Sequence, residues 1–226
     1  MLFSILYVIF GRVLRFGGKV QHYEIFLLVG IVLFYFLADA TSSAMRSVAE
    51  QGSLLRRIAF PPLLIPIAFT ITAFVTFAIN VVALFVLVFV NGVHPRIEWF
   101  LLIPLMLELY LFVLGLSLLL ATLYVTLRDT ATIWELTLRV AFYGSAILFP
   151  LQTFPVWAEK LLVVTPFVQV LQDSRRALLG PHDIATAPGV WGSTYAILMP
   201  LGITALLLLA GVSAFRRRSP WFAERL

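Results

Sequence analysis

No cysteine occurs among the 226 residues, which excludes disulfides and thiolate chemistry. Charge is scarce too. Asp, Glu, Lys and Arg make up 12% of the chain, about half the ~25% usual in soluble proteins. A phosphate-binding loop of the form G-x-x-x-x-G-K-[ST] is missing. The nearest stretch, "FGGKV" at 16–20, has Val20 where a hydroxyl is needed, and Val13 holds the first glycine position. There is no nucleophile elbow and no zinc motif. His22, His94 and His182 lie far apart and make no metal-ligand spacing. No basic stripe is interleaved with aromatics, so nucleic acid is not a partner. The in–out alternation of a membrane barrel is missing as well. These absences leave a chain with no catalytic, cofactor or metal chemistry of its own. Energy for directed work must then come from a partner or an ion.

What the chain has in abundance is apolar surface. Hydrophobic residues make up 62% and mean hydropathy is +1.02. A soluble fold of this length cannot bury that much, so the expected solvent is lipid and the expected fold is an all-α, polytopic membrane bundle in a single domain, 1–226. Full-length apolar runs cover 24–45, 62–90, 99–127, 133–151 and 191–215. Residues 1–16 read as a partial span, because the apolar stretch 1–10 is too short to cross ~30 Å of hydrocarbon before Arg12 and Arg15. The chain is expected to start inside what is normally a longer first helix, giving about six spans. Between 152 and 190 two short helix-like runs, divided by Thr165-Pro166 and stopped by Gly180-Pro181, predict interfacial or re-entrant elements over 155–180. Basic residues orient the bundle. With the C-terminus inside, 46–57, 128–139 and the tail hold nine of them against seven outside, and Arg216–Arg218 abut the last span. Both termini are therefore expected in the cytoplasm.

Four groups of residues stand out against this background. Over 53–60, helical spacing puts Leu54, Leu55, Ile58 and Ala59 on one side and Ser53, Arg56 and Arg57 on the other. Pro61 and Pro62 then force a stop, and Phe60 is biased to extended backbone. This is either an interfacial helix on lipid headgroups or a docking surface for a cytoplasmic partner. Arg128 and Asp129 follow the run 99–127. They read as a positive-inside arginine with Asp129 capping the next helix, or as a hinge between two spans. Glu108 lies roughly 14 Å along its helix from Trp99. A carboxylate at that depth is either polar glue, bonded to Tyr110, Asn80 or a serine, or a lining of a translocation path. Asp39, beside Thr41, Ser42 and Ser43, is expected to reach the interface. The outer half is rich in aromatics, among them Phe142, Tyr143, Phe149, Phe154, Trp157, Phe167, Trp191 and Tyr195. They form an interfacial belt, or some line a path for sugars.

Three stretches carry a family resemblance. "GSLLRRIAFPPLLIPIAF" resembles the cytoplasmic segment of the membrane subunit of ABC-type polysaccharide exporters, the family of bacterial O-antigen, teichoic-acid and galactan export permeases. "LLLATLYVTLRDTATIWELTLRVAFYGSAILFP" is similar to that family's arginine-aspartate segment and the span after it, with Ser145-Ala146 where Ser-Pro is usual. "FPVWAEKLLVVTPFVQVLQDSRRALLG" resembles its proline, helix, Asn-Pro, helix, arginine, Leu-Leu-Gly pattern, with Thr165 in place of Asn. The resemblance implies a permease that is not itself an enzyme. Two copies would pair, and two ABC ATPase subunits holding ATP and Mg would bind beneath. Ser53, Leu54, Leu55, Arg56, Arg57, Ile58, Phe60 and Pro61 would form a coupling helix seated on the ATPase, with Arg128 and Asp129 as the cytoplasmic hinge. The helices over 155–180 would form an outer gate. A lipid-linked glycan would cross the bacterial inner membrane, past Glu108, Tyr143, Phe149, Phe154, Trp157 and Phe167. The nearest alternative is a type-2 ABC exporter of another lipid or a drug. More distant ones are an ion-coupled carrier using Glu108 and a membrane-embedded glycosyl- or phosphotransferase.

Overall fold

A computed structural model describes residues 22–52, 61–180 and 184–219. Their regular elements are all helices, with no strand among the described residues. The helices are α1 (Tyr23–Glu50), α2 (Leu64–Val90), α3 (Leu102–Thr126), α4 (Thr130–Gly144), α5 (Val156–Val164), α6 (Pro166–Leu179), α7 (Ala187–Trp191) and α8 (Leu198–Arg218). Single 3₁₀ segments, Ile97–Leu101 and Thr194–Ile197, lead into α3 and α8. Four helical stretches are long and apolar enough to cross a membrane: Tyr23–Glu50, Leu64–Val90, Ile97–Thr126 and Thr194–Arg218. The protein is a multi-pass membrane protein.

Proline placement explains several of the starts. Pro66, Pro104, Pro166, Pro188 and Pro200 all fall in the first turn of a helix, where the backbone N–H has no intrahelical partner to lose. Their fixed φ suits that position, so each marks a start rather than a kink.

The long helices differ in what surrounds them. In the most apolar window of α1, 67% of residues are buried inside the protein, against 22% for α2 and α8. So α1 is the central post, packed on α2 and α3 and touched by α4 and α6. Ile71, Val75, Ile79, Val82 and Val86 of α2 stay exposed on the outside of the bundle, as an apolar solvent allows. Phe36 of α1 stacks on Phe77 of α2 at 4.7 Å, and Phe74 meets Tyr110 of α3 edge-on at 5.3 Å, which fixes the three-helix interior. The α3–α8 pair is held differently. A Cβ on Gly115 would stand 2.7 Å from the Leu208 backbone, and one on Gly211 would strike the Gly115 carbonyl. Two glycines thus bring backbone against backbone, the contact that association in lipid favours.

The helix expected over 133–151 stops early. α4 ends at Gly144 after 15 residues, about 22 Å at ~1.5 Å per residue, which is short of ~30 Å of hydrocarbon. Ala146 takes a left-handed φ of 54°, and the following residues fold back into the core, with Ala146, Ile147 and Leu148 fully or almost fully buried. A buried irregular segment needs donors for its carbonyls. They come from two side chains. Arg175 of α6, 0% exposed, donates from Nη1 to the Ala146 carbonyl at 2.8 Å, from Nη2 to the Ile147 carbonyl at 2.8 Å and from Nε to the Phe26 carbonyl at 3.1 Å. Its guanidinium also lies 3.4 Å from the centre of the Phe26 ring. The Tyr23 hydroxyl donates to the Leu148 carbonyl at 2.6 Å. Gly30 leaves the space, since a Cβ there would come within 2.9 Å of both Arg175 Nη2 and Ile147 Cγ2. Apolar helix periodicity reads straight through 145–150, because the break depends on a guanidinium 28 and 29 residues away.

Arg175→Leu takes this donor from the buried Ala146 and Ile147 carbonyls, at ~1–3 kcal/mol each, whereas the Phe26 carbonyl lies within α1 and keeps its intrahelical donor. The expected result is a destabilisation of about 2 kcal/mol or more, read as a large fall in the thermal unfolding midpoint of purified protein in detergent. An unchanged midpoint would show that the loop holds itself.

Candidate functional site

A cavity of about 490 Å³ opens between α3, α6, the segment entering α7 and the start of α8. Helix periodicity assembles its walls. Leu101, Pro104, Leu105 and Glu108 fall on one face, at i, i+3, i+4 and i+7. Gln169, Asp173, Arg176 and Ala177 of α6 follow the same rule, at i, i+4, i+7 and i+8. Glu98, Thr186, Pro188, Ile197 and Leu201 complete the lining.

The polar groups are incompletely paired. Gln169 Nε2 donates to Asp173 Oδ2 at 2.6 Å, and Arg176 Nη1 donates to Thr186 Oγ1 at 3.3 Å. Oε1 of Glu108 and Oε1 of Gln169 are buried and have no hydrogen-bond partner. The residues that carry them are 8% and 1% exposed. Burial pushes the Asp173 carboxyl above its usual range, and the Gln169 bond and the Arg176 charge offset part of that. A lining with spare acceptors, three acidic side chains and one arginine is suited to a ligand that donates hydrogen bonds.

The expected partners of Glu108 were Tyr110, Asn80 or a serine. Instead Glu108 shares the cavity with Gln169, Asp173 and Arg176 of α6. Asn80 lies elsewhere, in a groove between α1 and α2 with Tyr35, Asp39, Thr76 and Phe77. The aromatics scatter. Phe167 is core, edge-on to Phe34 at 6.0 Å, and Phe34 also meets Phe142 at 5.1 Å, with Tyr143 beside Phe142. Phe149 pairs with Phe154 at 5.2 Å, and Trp157 is exposed. Other residues line the Glu108 cavity. Of the coupling residues, Ser53, Leu54, Leu55, Arg56, Arg57, Ile58 and Phe60 lie outside the described residues, and Pro61 is exposed just ahead of α2. Residues 1–16 lie outside them as well.

Arg128 and Asp129 are exposed in the tight turn between α3 and α4. Asp129 holds the N-cap position, yet its side chain makes no capping bond. Thr130 Oγ1 instead donates back to the Leu127 carbonyl at 2.6 Å. Asp129 sits in the αR region, φ −65°, rather than the extended backbone from which capping side chains reach the first turn. Beyond the turn, α4 is tied to α1 by Arg46–Glu135 at 2.7 Å and by Trp134 Nε1 donating to Thr41 Oγ1 at 3.0 Å.

Residues 1–177 match the family profile described as ABC-2 type transporter. The chain belongs to the ABC-2 type transporter family. Two relatives are named O-antigen export system permease protein RfbA. The one from Klebsiella pneumoniae is 24% identical over 229 residues, covering 100% of this chain and 84% of that protein. The one from Myxococcus xanthus is 24% identical over 210 residues, covering 92% and 78%. This ABC-2 chain thus aligns over most of its length with proteins named as export permeases.

Sequence reasoning found Glu108 but missed Gln169, Asp173 and Arg176. The available signal was the polar spacing 169, 173 and 176 on a short helix whose other face is apolar. Arg175 and Arg176, read as outside charges and as part of the arginine, Leu-Leu-Gly pattern, point to different tasks, one into the core and one to the cavity.

Because Asp129 makes no capping bond, Asp129→Ala should change stability by well under the ~1 kcal/mol of a lost cap. Chemical denaturation in detergent checks this. A loss near that size would show that the side chain does cap α4.

Proposed function

We propose that this chain is the transmembrane subunit of an ATP-driven exporter that moves a lipid-linked polysaccharide from the cytoplasmic to the outer side of the bacterial inner membrane. Two copies pair, and two ABC ATPase subunits supply ATP hydrolysis. The observation that carries this reading is a full-length likeness to proteins named as O-antigen export permeases, in a chain with long apolar helices and no nucleotide-binding loop of its own. Six crossings, counting 1–16 and α4 together with the buried turn that follows it, put both termini in the cytoplasm, and the Arg216–Arg218 triplet in the last turn of α8 supports that orientation.

In this reading Ser53–Phe60 docks in a cleft of the ATPase. Leu54, Leu55 and Ile58 supply apolar anchors, and Arg56 and Arg57 a charged rim. Pro61 and Pro62 hold the exit rigid, so that motion of the short helix enters α2. Arg128 and Asp129 form the turn about which α3 and α4 adjust. α5 and α6 stand on the outer side as the gate, re-entrant where α6 reaches the level of Glu108. Trp157 and Tyr143, exposed on this side, offer flat apolar rings to passing sugars.

Charge reversal at Arg56 and Arg57 together should abolish co-purification with the ATPase subunit and reduce export at least about tenfold, since arginines are common interface hot spots. Membrane insertion should be unaffected. The check is pull-down of the tagged permease with its ATPase, alongside immunoblotting of surface glycan. Intact association and export in the double variant would rule out coupling through 53–60.

A further inference from the structure

The cavity beside Glu108 is a shaft with a carboxylate at each end. Its mouth lies where α3 and α8 begin and α6 ends, and it carries exposed Glu98 and Arg176. From Leu101 at the mouth down to Glu108 is about 10 Å, at ~1.5 Å per helical residue. From Arg176 down to Gln169 is the same distance along α6, about 10 Å. Glu108 and Gln169 therefore share the bottom, and Asp173 stands between the ends. The walls are apolar, with Leu101, Pro104, Leu105, Ala177, Ile197 and Leu201.

Charge gives the ligand its sign. Asp173 and Arg176 are one turn apart on α6 and offset each other. Arg176 is also held at the rim by Thr186. Glu98 and Glu108 remain, and neither makes an ion pair among the described residues. The bottom has acceptors without donors. Oε1 of Glu108 and Oε1 of Gln169 have no partner, on residues 8% and 1% exposed. The residue types exclude other cations. No aromatic ring lines the shaft, so a quaternary ammonium would find no cage. Among the described residues, no group of His, Cys, Asp and Glu is placed to hold a metal ion. A primary ammonium instead brings a positive charge and three N–H donors.

We propose that the shaft binds a linear aliphatic diamine from the aqueous phase. One ammonium sits at the bottom beside Glu108 and Gln169, and the other at the mouth beside Glu98. The methylene chain between them lies against Leu101, Pro104, Leu105 and Leu201. The volume, about 490 Å³, lies in the range of roughly 300–1,000 Å³ typical of sites for small ligands. The bound diamine joins α3 to α6 within one protomer and is separate from the exported molecule.

The test is isothermal titration calorimetry on the purified protein in phosphatidylcholine nanodiscs at fixed ionic strength. These discs carry no net charge and leave both faces open, so the outcome does not depend on which way the permease faces or on what it exports. Cadaverine should bind about tenfold more tightly than 5-amino-1-pentanol, which has the same length but one ammonium, the effect of one charge-assisted hydrogen bond. Pentamethonium keeps both charges but has no N–H, and should bind at least about tenfold more weakly than cadaverine. Glu98→Gln should erase the preference for cadaverine and leave aminopentanol binding unchanged, because only the second ammonium meets Glu98. Glu108→Gln should weaken both amines about tenfold. Asp39→Asn, in the separate α1–α2 groove, should change neither. Glu98 is exposed, so its variant decides the matter if Glu108→Gln fails to fold. Equal binding of cadaverine and aminopentanol by the parent protein overturns the proposal, as does a preference that survives Glu98→Gln. Displacement of cadaverine by magnesium or galactose at equal concentration would also overturn it, by assigning the site to a bare cation or a sugar.

Discussion

One guanidinium holds the membrane interior of this protein together. Arg175 is charged, fully buried and without a carboxylate partner, an arrangement that is costly in lipid unless every direction of the group is used. Here the carbonyls of Phe26, Ala146 and Ile147 take its donors, and the Phe26 ring takes a face. The exchange is mutual. A buried break in a helix has orphan carbonyls, and a buried arginine has orphan donors. Each makes the other tolerable, and together they join α1, α6 and the turn after α4.

That joint explains how a polar cavity persists within an apolar bundle. α6 is amphipathic, with Phe167, Val168, Val170, Leu171 and Leu178 packed inward. Its opposite face is free to present Gln169, Asp173 and Arg176 to Glu108 across the gap from α3. α8 closes the third side, because the Gly115–Gly211 contact sets its distance from α3 at backbone-to-backbone range. The cavity therefore follows from two anchors, a guanidinium on one side and a glycine pair on the other. A groove that forms only when ligand is present would have neither.

Much of the architecture was legible as composition. Apolar runs located α1, α2, α3 and α8 to within a few residues at most ends, because lipid makes hydropathy a direct report of span length. Gly180-Pro181 and Thr165-Pro166 announced the limits of α5 and α6 through local backbone chemistry. The early end of α4 was not legible. Its cause is Arg175, 29 residues from Ala146 and indistinguishable in sequence from the exposed Arg176 next to it. Glu108 was conspicuous because a lone carboxylate in an apolar run is rare. Its companions sat in a segment of ordinary polarity, where nothing marks a glutamine or aspartate as buried. The failed cap at Asp129 belongs to the same class, since residue type gave the position but not the φ that decides it.

Arg175 and Arg176 are neighbours in the chain, yet one is sealed among carbonyls and the other borders the cavity. About 100° of helical rotation separates them, at ~3.6 residues per turn. The angular phase of α6 is thus set once and serves two purposes. Thr165-Pro166 fixes its origin, and nine residues later that origin decides which arginine enters the core. The segment is accordingly bound in length as well as in side-chain identity. A single inserted residue between Pro166 and Arg175 would turn the helix out of gear, dismantling the interior joint and the polar floor in the same step.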